Sequence, residues 1–337
     1  MGEHYRHLSA ADRDTIHRGC LAGQSLRAIA RELGRPVSAV SREVARNVTA
    51  DKSYDALSAG TAYRRRRRNR ARKLALGTPL WCAVVQGLYR GWSPEQIAGR
   101  LRRMHPDDSR QRASHETIYL ALYALPRGEL RKTLLTQLRQ GHKTRKRRTQ
   151  GQDRRGSLPN MTPIHARPPE VATRAMPGHW EGDFIKGAAN RSAVGTLVER
   201  KSRYVVLARM HGTDAEAALE GFSAHFKRVP ACVRKSLTYD QGKEMAKHET
   251  LAKRVKIDVY FADPHSPWQR PSNENMNGLV REYLPKGMDL SQVSQATLNA
   301  IAKRLNNRPR KCLDFETPAE VFQRDILNLQ SNVALQS

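Results

Sequence analysis

The chain has 337 residues, too many for one ordinary domain and enough to bury a sizeable core in two or three. Its 60 Lys and Arg against 32 Asp and Glu leave a net charge of +28, which favours a polyanionic partner, nucleic acid first. No apolar run approaches the roughly 18 residues of a bilayer span, so no membrane association is expected, and the opening MGEHYRHLS lacks the apolar stretch of a signal peptide, so an intracellular protein is expected.

The charge is uneven, with +22 over residues 1–175 and +6 over 176–337. From Ser9 a polar N-cap opens a helix to about Ala22, with Gly23 as its stop. Leu26, Ile29, Ala30 and Leu33 then form one apolar stripe, ended by Gly34. After Pro36, a third helix places Val37, Val40 and Val44 on one face, with Ser38, Ser41, Arg42 and Arg46 projecting elsewhere. Three short helices with a glycine turn before a basic last one match a trihelical DNA reader, whose final helix enters the major groove. A generic helical bundle is the plainer alternative.

The arginine run Arg64 to Arg68 and the basic stretch from Lys143 to Arg155 read as linkers, solvated when free and able to release counterions from a phosphate backbone. Between them, Trp81 to Leu88 has helical periodicity. Ser93, Pro94 and Gln96 then supply an N-cap, an N1 proline and a capping-box partner. Ser114 caps a last segment, SHETIYLALYAL, readable either as a second recognition helix or as a packing helix.

Beyond a proline-rich loop the period changes. HWEGDFIKG, AVGTLVER and RYVVLARM read as an antiparallel meander. Thr213 with Glu216 forms a capping box for a helix carrying Leu219, Phe222 and Phe226, and KSLTYD and KIDVYF flank a helical stretch in a βαβ arrangement. A mixed sheet with helices on its faces follows.

Three acids stand out: Asp183 within the first strand, Asp240 at the carboxyl end of KSLTY, and Glu274 near the start of a helix whose buried stripe is Met276, Leu279, Val280 and Tyr283. Glu274, Asn277 and Arg281 share another face of that helix. Singly, such acids cap turns or complement a helix dipole. Together, on a basic chain, a carboxylate-only set suits two Mg²⁺ ions acting on a phosphodiester. Glu181, on the same strand face as Asp183, is a competing ligand. His179 either touches DNA or packs, Trp180 and Trp268 either stack on a base or anchor the core or a loop, and Asn273 either orients Glu274 or meets phosphate or simply caps its helix. The arginines and lysine of NNRPRK either follow a phosphate backbone or lie in a solvated loop; none of these is assigned a catalytic role. The four cysteines form no CxxC pair, which argues against a disulfide scaffold or a thiolate zinc site.

With these motifs in order, the chain resembles the DDE transposases of bacterial insertion sequences, and most closely the IS-thirty family (insertion sequence thirty). The resemblance is carried by SLRAIARELGRPVSAVSREVARN, WSPEQIAGRL with HETIY, GHWEGDFI, LTYDQGKEM, FADPHSPWQRPSNENMNGLVREYLPKG and NNRPRKCLDFETPAEVF. It implies a multidomain α plus α/β chain, in which helix-turn-helix domains precede an RNase H-like (retroviral integrase) catalytic domain. The expected boundaries are a helix-turn-helix domain at 1–50, a basic linker at 51–76, a second helical DNA-binding domain at 77–140, a basic proline-rich linker at 141–175, the catalytic domain at 176–327 and a tail at 328–337.

The resemblance also implies that Asp183, Asp240 and Glu274 are the catalytic and metal-binding triad for two Mg²⁺ ions, with Mn²⁺ a substitute. Ser38, Ser41, Arg42, Arg46 and Arg281 are expected to contact DNA. The implied activity is nicking at the element's ends and attack of the freed 3′-OH on a target phosphodiester, without a covalent enzyme intermediate. Double-stranded DNA with terminal inverted repeats, a dimer or larger assembly, and a place in the bacterial cytoplasm at the nucleoid complete the expectation. A DNA-binding regulator that uses the integrase-like domain for dimerisation, and a nuclease without strand transfer, are the rival readings.

Overall fold

The computed structural model describes residues 7–48, 53–68, 73–136, 158–264 and 266–334. The basic stretch 143–155 therefore lies outside the described residues, as does His265. The chain divides into two compact units, one ending at Ala75 and one beginning at Leu76.

In the first unit, α1 (Ala10–Leu21) begins with a capping box in which Ser9 and Asp12 satisfy each other's backbone N–H groups. It is followed by α2 (Leu26–Glu32) and α3 (Val37–Asn47), joined through Gly34 at φ +60°, a left-handed conformation that favours glycine. Ile16, Ile29, Ala30 and Val40 form the core. The inner face of α3 differs from expectation, because Val37 in the first turn is exposed while Glu43 and Asn47 are buried. Arg13 of α1 explains this by donating from Nε to Glu43 Oε1 at 2.7 Å, so that both charges are buried as a pair. The linker expected at 51–76 is corrected: its residues 56–68 form α4 (Ala56–Arg68), which carries the buried Ala59 into the same core, next to Tyr54. The alanines and small residues ahead of the arginine run supply the helix with an apolar side, and the run itself continues it.

The second unit begins with α5 (Pro79–Tyr89), α6 (Pro94–Met104), α7 (His115–Tyr123) and α8 (Glu129–Thr136). The predicted capping box of α6 forms through Ser93 and Gln96. The separate domain expected at 77–140 packs instead against the C-terminal segment of the same unit. Gln96 Nε2 donates to Pro309 O, Lys311 pairs with Glu95, and Arg103 pairs with Asp314 and Glu316, each at 2.7 to 2.9 Å. Arg100 and Glu320 add another pair. Phe315 lies so close to Gly99 that a Cβ there would meet its ring at 2.3 Å. The NNRPRK motif is thereby corrected: Arg308 and Arg310 are buried, Arg310 donating to Leu305 O, while Arg308 and Lys311 join α6 to the rest of the unit through Gln96 and Glu95.

The sheet contains β1 (His179–Lys186), β2 (Ala193–Glu199), β3 (Val205–Arg209), β4 (Ser236–Tyr239) and β5 (Asp258–Phe261), in the order β3-β2-β1-β4-β5. The meander β1-β2-β3 is antiparallel, whereas β1-β4 and β4-β5 are parallel. Alternation along β1 sends Trp180 and Phe184 to one face, where α10 (Ala215–Phe226) and α11 (His248–Val255) cover them with Phe222, Phe226, Leu251 and Val255. The cap of α10 is Asp214, one residue later than the Thr213 box expected from the sequence.

Glu181, Asp183 and Ile185 point to the other face. There α12 (Pro271–Val280) and α13 (Gln295–Asn306) bury Met276, Leu279, Val280, Leu298 and Leu305 against Ile185, Val194 and Val198. Two boundaries expected for this region are corrected. Within the proline-rich linker, the short helix α9 (Glu170–Thr173) and residues 158–169 lie on the sheet, with Ile164 and Val171 buried and Phe261 N donating to Thr162 O. The tail begins inside α14 (Pro318–Ala334), whose Leu329 packs on the same core as Trp180, because its apolar stripe runs past residue 327.

Candidate active site

Parallel pairing of β1 with β4 ends with Glu181 opposite Thr238. Asp183 and Asp240 each lie two residues further on, and a period of two brings both to the same face at the strands' carboxyl ends. The sequence left these acids 57 positions apart, and the in-step register makes them neighbours.

Their carboxylates are held from several sides. Asp183 Oδ2 accepts from Asn277 Nδ2 at 2.8 Å, and its Oδ1 accepts from the backbone N–H of Phe184 at 2.9 Å. Asp240 Oδ1 accepts from Gly242 N at 3.2 Å. The Arg270 guanidinium lies 3.2 Å from Asp240 Oδ2 and 3.9 Å from Asp183 Oδ1. Burial pushes the Asp183 carboxyl up to about 6; Arg270 opposes this, while Asp240 and Glu244 reinforce it. Arg270, Asn277 and Glu244 had no site role in the sequence reading. Asn277 was legible as a residue sharing a helix face with Glu274, whereas nothing in the spacing tied Arg270 to the aspartates.

Helix α12 is anchored over this edge by polar contacts. Glu181, fully buried, accepts from Arg200 Nε at 3.0 Å and from the backbone N of Asn273 at 2.9 Å. The carboxylate thus occupies the positive N-terminal turn of α12 and is consumed structurally, which removes it as a competing metal ligand. Thr196, paired with Asp183 across β1 and β2, lies with its hydroxyl 2.9 Å from Asn273 Oδ1 and 3.1 Å from Asn277 Oδ1. Asn273 therefore ties α12 to β2, while the N-cap position belongs to Arg270.

Glu274 lies one turn before Asn277 on α12 and is exposed. The structure thus brings Asp183 and Asp240 together and leaves Glu274 on the helix beside them. Among the described residues no three His, Cys, Asp or Glu side chains are arranged as a metal site. Arg281 ends α12 and donates to Lys186 O at 2.8 Å and to Leu284 O at 3.3 Å, so part of its guanidinium serves the fold. In the first unit, Ser38, Ser41, Arg42 and Arg46 are all exposed on α3. His179 and Trp180 are buried, with Trp180 Nε1 donating to Val233 O, whereas Trp268 is 70% exposed in the segment leading to Arg270. The four cysteines are free, and no described helix is long and apolar enough to cross a membrane.

Residues 4–47 match the family described as a helix-turn-helix domain, and residues 173–267 match the integrase core domain, a span that includes Asp183 and Asp240 and stops short of Glu274. Over 335 residues, covering 98% of each chain, the protein is 49% identical to the transposase for insertion sequence element IS1086 of Cupriavidus metallidurans. It is 42% identical to transposase InsI for insertion sequence element IS30A of Escherichia coli, over 95% of this chain and 84% of the relative. Identity to the transposase for insertion sequence element IS4351 of Bacteroides fragilis is 35%, over 98% of this chain and 99% of the relative. Among solved structures, the catalytic core domain of BIV integrase aligns with a TM-score of 0.35 at 18% identity, covering 45% of this chain and 97% of that one.

Proposed function

The chain belongs to the insertion-sequence transposases of the IS30 family, and from that premise we propose that Asp183, Asp240 and Glu274 are the acids with which it cuts and joins DNA. The observation that carries this reading is the parallel register of β1 and β4, which sets Asp183 beside Asp240 under the helix that bears Glu274.

The donor set fits a hard divalent cation. It consists of carboxylate oxygens, and the aspartate pair already has a guanidinium cation beside both its members. Asp183, Asp240 and Glu274 would hold two Mg²⁺ ions, or Mn²⁺ in their place; such ions activate an attacking oxygen and stabilise the leaving oxygen of a phosphodiester. The chain's own groups orient the acids. Asn277 fixes one oxygen of Asp183, Gly242 N fixes one oxygen of Asp240, and the buried Glu181 holds the start of α12 down on the sheet. The acids first serve hydrolytic nicking at an element end, which exposes a 3′-OH. That hydroxyl then displaces a 3′-oxygen at the target phosphodiester, so one phosphodiester bond forms as another breaks and no covalent enzyme intermediate is needed.

Ser38, Ser41, Arg42 and Arg46 on α3 meet the terminal inverted repeats, and Arg281 reaches phosphate near the acids. Two ends must be held at once, so the working assembly is a dimer or larger, acting in the cytoplasm at the nucleoid.

Purified protein incubated with labelled inverted-repeat ends and Mg²⁺ tests this. Nicked ends and strand-transfer products are expected. Retardation of DNA without cutting would identify a regulator, and cutting without joining a nuclease. Asp240→Asn should abolish both products while leaving end binding intact; a variant that still cuts would remove Asp240 from the triad.

A further inference from the structure

Arg270 is the residue immediately before Pro271, which opens α12, and its side chain is 13% exposed at the carboxyl end of β1 and β4. One terminal nitrogen donates to Gly182 O at 2.8 Å and lies 3.9 Å from Asp183 Oδ1; the other lies 3.2 Å from Asp240 Oδ2. The guanidinium carbon is 5.9 Å from the centroid of the Tyr239 ring. Nε is buried without a hydrogen-bond partner. This is not the bidentate fork that makes arginine-carboxylate pairs strong, since the planar group is divided between two acids and a carbonyl and one of its donors is unused. Two carboxylates on adjacent strands repel each other, and a positive charge beside both offsets that repulsion. A guanidinium placed in this way does, with one charge, what a divalent ion at the same oxygens would do with two.

We propose that Arg270 is an internal counter-ion that guards the cation position of the aspartate pair and is displaced from it when a divalent ion enters. Metal entry and release of Arg270 are then one exchange, and the observed affinity is set by that competition. The exchange also bears on Glu274. Arg270 caps the helix that carries it, with Glu274 N donating to Arg270 O, so release of the guanidinium frees the segment from which Glu274 approaches. The inference rests on Asp183 and Asp240 being metal ligands.

The test is Mn²⁺ binding to the full chain, followed by the loss of the free-ion paramagnetic resonance signal. Arg270→Gln, which removes the competing charge, should bind Mn²⁺ about tenfold more tightly than the unaltered protein, the equivalent of one charge-assisted contact. Equal or weaker binding would overturn the proposal. Unaltered protein gives a second reading that does not depend on the variant folding. Phenylglyoxal modification of Arg270, mapped by mass spectrometry, should rise severalfold on adding Mg²⁺ and should not rise in Asp183→Asn. A rate that Mg²⁺ leaves unchanged or lowers would also overturn it. Asp183→Asn separates the two layers: if that variant binds Mn²⁺ as well as the unaltered protein, the metal-ligand assignment itself fails, whatever Arg270 does.

Discussion

Asp183 and Asp240 differ in how they are held. Asp183 is pinned by Asn277 and by its own strand, and burial raises its proton affinity; Asp240 sits at a more exposed strand end with a single backbone donor in the following turn. Asn277→Ala should therefore lower cleavage by about one to two orders of magnitude through misplacement of Asp183, with end binding unchanged in a gel-shift titration; equal loss of binding and cleavage would contradict a local role. His179 makes a second prediction. Burial lowers its pKa from 6.5 to about 4, helped by Lys235, Arg200 and Arg167, with Ser236 Oγ 2.7 Å from its Nδ1. The folded chain keeps this imidazole neutral where the unfolded chain takes up a proton. Its contribution is therefore intact above pH 6.5 and is lost progressively as the pH falls toward 4, by roughly 3 kcal/mol in all. Urea unfolding of His179→Gln should show that part of the acid destabilisation gone; parallel pH profiles for the two proteins would refute it.

Single elements hold the site because the strands approach closely. Gly182 lies under the ring of Tyr239, and a Cβ there would sit 2.7 Å from Tyr239 Cδ2. Since Tyr239 is fully buried and precedes Asp240, the ring has nowhere to go. Gly182→Ala should cost about 1 to 3 kcal/mol by overpacking and reduce cleavage as well, measured as a shift in the denaturation midpoint beside the nicking rate. In the first unit the Arg13–Glu43 pair plays the corresponding part by locking α3 to α1. Glu43→Ala leaves Arg13 buried without its partner and should destabilise this unit by about 3 to 5 kcal/mol; a loss below 1 kcal/mol would show that the pair is replaceable. Neither contact was legible in the sequence. A glutamate and an arginine 30 residues apart look like solvated charges until two helices place them face to face, whereas Ile29, Val40 and Leu279 declared their burial through periodicity alone.

At the scale of the molecule, charge and architecture serve different ends. The net charge of +28 predicts steep salt dependence of DNA binding. Replacing both Arg42 and Arg46 by alanine should make the slope of log affinity against log salt shallower by up to about 2 without affecting folding, as read by fluorescence anisotropy; an unchanged slope would place α3 away from phosphate. Not all basic residues do this work. Arg100, Arg103, Arg308 and Lys311 are committed to joining α6 to the C-terminal segment, so the second helical region and the catalytic sheet form one compact unit.

The sequence by itself determined the α plus α/β class, the trihelical start and the strand and helix order, and it singled out three acids as candidates, because caps, periodicity and short motifs are local and survive without tertiary context. Only the tertiary structure decided which charges brace the fold. It buried Glu181 under α12, set Arg270 beside the two aspartates, extended a helix through residues 56–68 that looked like linker, and left Glu274 exposed on the helix whose Asn277 holds Asp183. The physical reason is that an ionic side chain's role depends on its distance to other charges and on the water around it, and both are fixed by strand register and helix docking rather than by residue type.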